Sequence, residues 1–584
     1  MSVYNKFPSR RSTVSSTKGI VALSQPLANA VGIKVLEQGG NCVDAAIAIL
    51  AALCVLEPMS TGIGGDCFAL VYKKDSQSVY GLNGSGRCAK ELNIQHIKSC
   101  LGDINRLPIL SPFCITVPGS IRAWYDAYKE WGSGNIEWSV LFLYAIEFAE
   151  NGFPVLAICA EMWKRAVKKL IIQNPNLKKG NNPFLIYDET NDTVRSPIEG
   201  EIMKNLDFAN TLKIIAEKGT DGFYKDLIAN EIVNHLTLLE HKLSLEDLSN
   251  HESTIVKPLK VTFMNEYNVW EIPPNGQGLV ALMALGIIEE LHNNGTVDLY
   301  SLEHNSARFF HLLIEVFKIS FYEANNYVTD SLHADYEIKD ILNKGFFKEK
   351  AKIFKWNKIL DASIGIPDPR LKSDTVYFSV TDSNGDACSF INSVYEQFGS
   401  GIVVPGYGFA LQNRGASFNL SPGLINSLEG GKRPYHTIIP GMITNNITND
   451  LYASFGNMGG YMQPLGHVLH VLNMTIYGLN PQESIDSPRF CLEADKTSPS
   501  SVDTGLGSDS PVSTTKTIVS LEEGISEDVV LQLKDWGHTV RVLCGFDRET
   551  FGRAQIIKST YQNSQLVYNA GSDPRGDGAA VPLI

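Results

Sequence analysis

The sequence predicts a mixed α/β protein, and three observations carry that reading. In the first third, helical stretches alternate with short apolar strands; from Ile202 to Phe354 apolar residues recur at three- and four-residue spacing; after Thr375 the pattern turns to strand-like alternation. The length of 584 residues would allow several domains, although large mixed units also fold as one.

Residues 1 to about 25 are polar and are expected to be loose. Val31 to Gln38 and Ala45 to Leu56 read as helices, and Cys67 to Tyr72 as a strand. The uncharged run Ala45 to Leu56 falls short of the roughly 20 residues that cross a bilayer, and suits a buried helix instead. Thr211 to Lys218, Leu279 to Asn293 and Leu302 to Tyr322 read as amphipathic helices of a helical shell. Val376 to Val380 alternates as a half-buried strand does, Thr381 to Asp386 supplies turn residues, and Ala387 to Ile391 returns as a second strand. Helices are expected at Met462 to Tyr477 and Ser526 to Trp536. Residues 495–516, rich in serine, glycine and proline, are expected to form a disordered surface insertion.

Composition excludes some functions without choosing one. Hydrophobic residues at 44% and charged residues at 19% describe an ordinary globular protein. A net charge of −13 lacks the basic footprint of a nucleic-acid binder, so no such partner is expected. The N-terminus carries charge but no apolar stretch of a signal peptide, and ten cysteines lie scattered without a CxxC pair. A reduced, cytoplasmic protein without a membrane anchor is the expectation.

Gly62 to Gly65 lacks the lysine of a phosphate-binding loop and reads as tight turns. His467 and His470 fall at i and i+3 without a third ligand nearby and read as packing residues. No metal or organic cofactor is expected, and no Gly-x-Ser-x-Gly elbow occurs.

The chemistry gathers at Asp374-Thr375. A threonine hydroxyl is a poor nucleophile until a base takes its proton, and an N-terminal residue can use its own α-amine. Such an amine has a reference pKa of about 7.7 to 8.0, close to what a base working near neutral pH needs. Cleavage between Asp374 and Thr375 would create one.

Downstream of Thr375 come Phe398-Gly399-Ser400-Gly401, Pro434-Tyr435-His436-Thr437-Ile438-Ile439-Pro440, Gly456-Asn457-Met458-Gly459-Gly460, Ser487-Pro488-Arg489-Phe490 and Gly571-Ser572-Asp573-Pro574-Arg575. Upstream stand Gly39-Gly40-Asn41-Cys42-Val43-Asp44, Glu57-Pro58-Met59-Ser60-Thr61-Gly62-Ile63-Gly64-Gly65-Asp66, Val117-Pro118-Gly119 and Pro273-Pro274-Asn275-Gly276-Gln277-Gly278. In this order, and over nearly the whole chain, they resemble the γ-glutamyltransferase family, whose small subunit begins at such a threonine.

The resemblance implies a proenzyme of the N-terminal-nucleophile hydrolase type, folded as an αββα sandwich with a helical shell. Segments 1–374 and 375–584 would share one domain and remain together as a heterodimer of cleavage fragments. Thr375 would cut the chain and then attack a γ-glutamyl amide such as glutathione, and water or an amine acceptor would resolve the acyl-enzyme. Gly459 and Gly460 match the oxyanion-hole pair, each such donor being worth about 10²- to 10³-fold in rate. Ser393 matches a second threonine that bonds the nucleophile; alone, it reads as a sheet hydroxyl.

Positions facing the substrate's amino-acid end depart from the family. Arg414 and Ser417 stand where the best-known members carry glutamine and aspartate, Tyr395 replaces an asparagine, and His436 and Thr437 replace paired serines. Arg87 stands about two positions from the carboxylate-binding arginine, and the ammonium-binding carboxylate is missing. Arg414 would attract a carboxylate and repel an ammonium, which opens glutaryl-type amides as donors; alone, it reads as half of an ion pair. His436 also reads as a base, though the α-amine would fill that role. An acylase with little glutathione activity and an uncleaved, silent binding protein are the alternatives.

Overall fold

The computed structural model describes residues 11–175, 182–360, 374–494 and 517–584. Two seven-stranded antiparallel sheets dominate it. The first runs, in spatial order, Ala579–Pro582, Ile20–Leu23, Asp374–Thr381, Ala387–Tyr395, Asp66–Lys73, Ser78–Gly84 and Thr254–Val256. The second runs Val14–Ser16, Gln565–Ser572, Arg553–Gln562, Leu451–Met458, Gly441–Asn445, Tyr267–Glu271 and Leu259–Phe263.

Alternation along the strands builds the layers. In the strand Asp374–Thr381, Val376, Phe378 and Val380 join an apolar core with the helices Pro26–Glu37 and Cys42–Leu56, whereas Tyr377 points into the layer between the sheets. There Tyr377 hydrogen-bonds Ser379 and Ser389, and Ser379 reaches Ser454 of the second sheet across 2.6 Å. On the far side, helices Gly278–Asn293, Ala307–Ala324 and Met462–Thr475 form a separate core with the second sheet. The architecture is therefore helix, sheet, sheet, helix, the αββα sandwich expected. Among the described residues no helix is long and apolar enough to cross a membrane, and all ten cysteines are free thiols.

Several elements differ from the sequence reading. The expected loose N-terminus instead places Ile20–Leu23, fully buried, beside the strand that carries Thr375. Four apolar residues bury both faces of a short central strand, a pattern too brief to stand out from a polar flank. The helix Cys42–Leu56 starts three residues early because Asn41 and Asp44 form a capping box, which an apolar run cannot reveal. The region read as helical from Ile202 to Phe354 also contributes Thr254–Val256, Leu259–Phe263 and Tyr267–Glu271 to the sheets. The insertion expected at 495–516 lies outside the described residues.

Candidate active site

Thr375 is fully buried where the pairing of its strand with Ala387–Tyr395 shifts register between Asp374 and Val376. Such irregularities re-aim side chains and are common beside active sites. Here the Thr375 hydroxyl donates to Ser393 Oγ across 3.0 Å, and the same oxygen accepts the Tyr395 backbone N–H at 2.8 Å. Gly65 lies behind Ser393, and a Cβ on that glycine would stand 2.2 Å from the Ser393 carbonyl oxygen. Close backbone approach explains the glycine.

Tyr395 has φ of +81°, a left-handed backbone that an aromatic residue adopts only when its surroundings impose it. Its ring is covered by Arg414, whose guanidinium carbon sits 3.8 Å from the ring centroid, and its hydroxyl accepts from Ser417 at 3.4 Å. Arg414 Nη1 donates to Thr437 Oγ1 at 2.8 Å, while its Nε and Nη2 have no hydrogen-bond partner among the described residues. Burial lowers the Arg414 pKa to about 10, which still leaves it charged at neutral pH.

A buried carboxylate whose charge acts on Arg414 is one the sequence reading did not single out. Asp66 opens a central strand and is fully buried, with His436 Nε2 at 3.1 Å from its Oδ2. Burial raises its pKa to about 6, opposed by the Gly86 N–H and the charge of Arg414. His436 is driven well below its ordinary value, first by burial and then by Arg414 and Arg433. Its Nε2–H therefore donates to Asp66, and Nδ1 accepts from the Ile438 N–H at 3.4 Å.

Gly459 and Gly460, with φ of +131° and +60°, lead into the helix Met462–Thr475 and accept from Met462 and Gln463. Gln277, another residue not picked out from the sequence, links this turn to the Arg414 partner Thr437: its Nε2 donates to the carbonyls of both Gly460 and Thr437. Tyr435 donates in turn to Gln277 Oε1 at 3.1 Å. Thr375, Ser393, Tyr395, Arg414, Ser417 and Thr437 are thus brought together directly, His436 through Asp66, and the glycine pair through Gln277. Arg87 is taken up elsewhere, by Asp330 and the Gly431 carbonyl.

His311, Glu315 and His538 offer ligand atoms within 4.8 Å of one another. They also satisfy one another and their neighbours: His311 Nδ1 meets His538 Nε2 at 2.9 Å, and Glu315 accepts from buried Lys318 and the Leu360 N–H. A divalent ion would add charge to an already balanced ion pair. His467 and His470 are held by Glu271 and Ser484, as packing histidines are.

Four layers of this order, with a threonine at the start of a central strand, define an N-terminal-nucleophile hydrolase architecture. Residues 28–583 match the family model described as gamma-glutamyltranspeptidase, and the chain belongs to that family. It is 31% identical over 572 residues to the glutathione hydrolase-like YwrD proenzyme of Bacillus subtilis (strain 168), covering 98% of this chain and 99% of that protein. It is 28% identical to the oxamate amidohydrolase proenzyme of Klebsiella pneumoniae, over 97% of this chain and 98% of that one. The crystal structure of cephalosporin acylase from Bacillus halodurans superimposes with a TM-score of 0.83 at 34% identity, over 100% of this chain and 99% of that chain.

Proposed function

We propose that this protein is an autoprocessing threonine amide hydrolase or acyltransferase. The observation that carries the reading is the buried Thr375 hydroxyl, bonded to Ser393 at the head of a central strand. Thr375 Oγ attacks the Asp374 carbonyl carbon, the Asp374–Thr375 C–N bond breaks, and the hydroxyl proton ends on the departing nitrogen. Water then hydrolyses the resulting ester, which leaves a carboxylate on Asp374 and a free α-amine on Thr375. That amine serves as base when Thr375 attacks the amide of a donor. The backbone N–H groups of Gly459 and Gly460 receive the oxyanion, the amine of the donor leaves, and water or an acceptor amine releases the acyl group.

The fragments would remain associated because their strands alternate in both sheets. Asp374–Thr381 lies between its own partner Ala387–Tyr395 and Ile20–Leu23 of the other segment, and Gly441–Asn445 pairs with Tyr267–Glu271. Separation would break both ladders. Segments 1–374 and 375–584 therefore act as halves of one domain.

The acyl donor is an amide of a small carboxylic acid, with γ-glutamyl compounds such as glutathione and its conjugates as the family's usual choice. A glutaryl-type donor is a second reading, favoured by the buried Arg414 guanidinium stacked on Tyr395, whose N–H bonds the Ser393 oxygen that accepts from Thr375. Relatives named glutathione hydrolase-like, oxamate amidohydrolase and cephalosporin acylase support hydrolysis or acyl transfer, and their names differ in the molecule acted on.

Denaturing electrophoresis with N-terminal sequencing tests this reading. Two fragments, the smaller beginning at Thr375, are expected, and Thr375→Ala should abolish both cleavage and amidase activity. A persistent 64.2 kDa band without amidase activity would favour a silent binding protein instead.

A further inference from the structure

We propose that Arg414 and Asp66 form a specificity pair that selects acyl donors ending in a carboxylate and lacking an α-ammonium, that is, half-amides of dicarboxylic acids. The inference rests on Thr375 as the nucleophile and names the acyl group its site accepts.

Arg414 is fully buried, yet among the described residues only its Nη1 makes a hydrogen bond, to Thr437 Oγ1. The unpartnered donors, Nε and Nη2, form one edge of the guanidinium. Two parallel N–H groups on one edge match the two oxygens of a carboxylate, and buried charged donors left unmade are costly. A carboxylate on the acyl group would complete them. The Tyr395 ring fixes the plane of the guanidinium from one side, and Tyr395 is itself tied through its N–H to the oxygen that accepts from Thr375. Carboxylate recognition and nucleophile are thus joined through a single residue, by its ring on one side and its backbone N–H on the other.

Asp66 holds this arrangement without offering itself to the ligand. Its Oδ1 accepts from Gly86 N at 2.9 Å, Gly119 N at 3.2 Å and Gln412 Nε2 at 2.9 Å, and its Oδ2 accepts from His436. Gln412 lies two residues before Arg414, and His436 immediately precedes Thr437, so both segments that orient the guanidinium are anchored on one carboxylate. Asp66 makes no direct ion pair with Arg414 but supplies compensating negative charge nearby. Three N–H donors crowd Oδ1 and His436 holds Oδ2, so both oxygens are engaged by the fold. An incoming ammonium would have to share Oδ2 with His436. Glu396, a second carboxylate whose charge acts on Arg414, follows Tyr395 in the chain and is half-buried. A γ-glutamyl group brings its ammonium beside the guanidinium, which repels it; a glutaryl group does not.

Glutaryl-, pentanoyl- and γ-glutamyl-p-nitroanilide, differing only in the distal carboxylate and the amine, test the pair on the processed enzyme. Wild type should favour glutaryl over pentanoyl by at least about thirtyfold in kcat/KM, the lower bound for a desolvated charge pair, and should favour glutaryl over γ-glutamyl. Arg414→Gln should bring the glutaryl-to-pentanoyl ratio close to one, chiefly through KM. Asp66→Asn should lower the same ratio, and in the Arg414→Gln background it should lower it no further. A preference for γ-glutamyl, or a ratio that survives Arg414→Gln, overturns the proposal. A donor-independent loss in Asp66→Asn removes Asp66 from it. Calorimetric binding of free glutarate reads the site without turnover: binding lost in Arg414→Gln supports the pair, and none to wild type overturns it. Failure of the Thr375 reading would be seen separately, as an uncut chain or an active Thr375→Ala variant.

Discussion

The hydroxyl of Thr375 donates to the hydroxyl of Ser393 across 3.0 Å while the chain is still continuous through Asp374. Ser393 Oγ also accepts the Tyr395 N–H, so its own proton is directed away from Thr375 and its lone pair toward it. Removing that acceptor frees the Thr375 side chain to rotate and withdraws one hydrogen bond from the attacking oxygen. Ser393→Ala should slow autocleavage by about tenfold, the rate equivalent of a hydrogen bond worth roughly 1.4 kcal/mol. Ser393→Thr, which keeps the hydroxyl, should stay within a few-fold of wild type. Time courses on denaturing gels after cell-free synthesis measure both, and equal rates for Ser393→Ala and wild type would relieve Ser393 of this role.

A second prediction concerns the glycine behind Ser393. The Cβ of an alanine at position 65 would lie 2.2 Å from the Ser393 carbonyl oxygen and 2.8 Å from its carbonyl carbon, and backbone in a central strand cannot yield as a flexible side chain can. Gly65→Ala should displace Ser393 from Thr375 and leave the chain largely uncut. Complete processing of this variant would show that the register of these strands tolerates the shift.

What the sequence disclosed and what it hid follow from distance along the chain. The hairpin of Asp374–Thr381 and Ala387–Tyr395 was legible because its signals, alternation and turn residues, are local. Helices at Gly278–Asn293 and Met462–Thr475 were legible for the same reason. Arg414 stood out because a charge had replaced a polar residue within an ordered motif. Asp66 did not, because its partners Gly86, Gly119, Gln412 and His436 lie 20, 53, 346 and 370 residues away. An aspartate closing a glycine-rich turn carries no local mark of burial. Gln277 was hidden likewise, its role appearing only once Gly460 and Thr437 are brought beside it.

Stability should depend on pH through His251. Burial lowers its pKa to about 3, and the charges of Arg433, Arg87 and Arg122 act in the same direction. The unfolded chain takes up a proton near pH 6.5 that the folded protein refuses until about pH 3, so stability is complete above 6.5 and falls as pH drops through that window. This single group should contribute a loss of about 1.4 kcal/mol per pH unit below 6. Urea unfolding of wild type and His251→Gln between pH 5 and 6 isolates it. The variant should show a shallower dependence by close to that amount, and parallel profiles would mean that His251 is already protonated in the fold.

The motif Asp573-Pro574-Arg575 predicts a stability effect separable from catalysis. Asp573 is fully buried and accepts from Arg489 Nη2 at 2.7 Å, Arg575 Nη1 at 3.0 Å and the N–H groups of Ala554 and Arg575. Burial alone would raise its pKa, but Arg489 and Arg575 together hold it well below the carboxylate range. Arg575 is further paired with buried Glu522, which also accepts the Arg489 N–H. Asp573→Asn preserves shape but leaves two buried guanidinium groups sharing one fewer charge and turns an acceptor into a donor. Breaking a buried pair in this way costs about 3 to 5 kcal/mol. The urea midpoint of Asp573→Asn should fall accordingly, while the molecules that remain folded should still be cut before Thr375. A midpoint unchanged from wild type would mean that Glu522 alone balances both arginines.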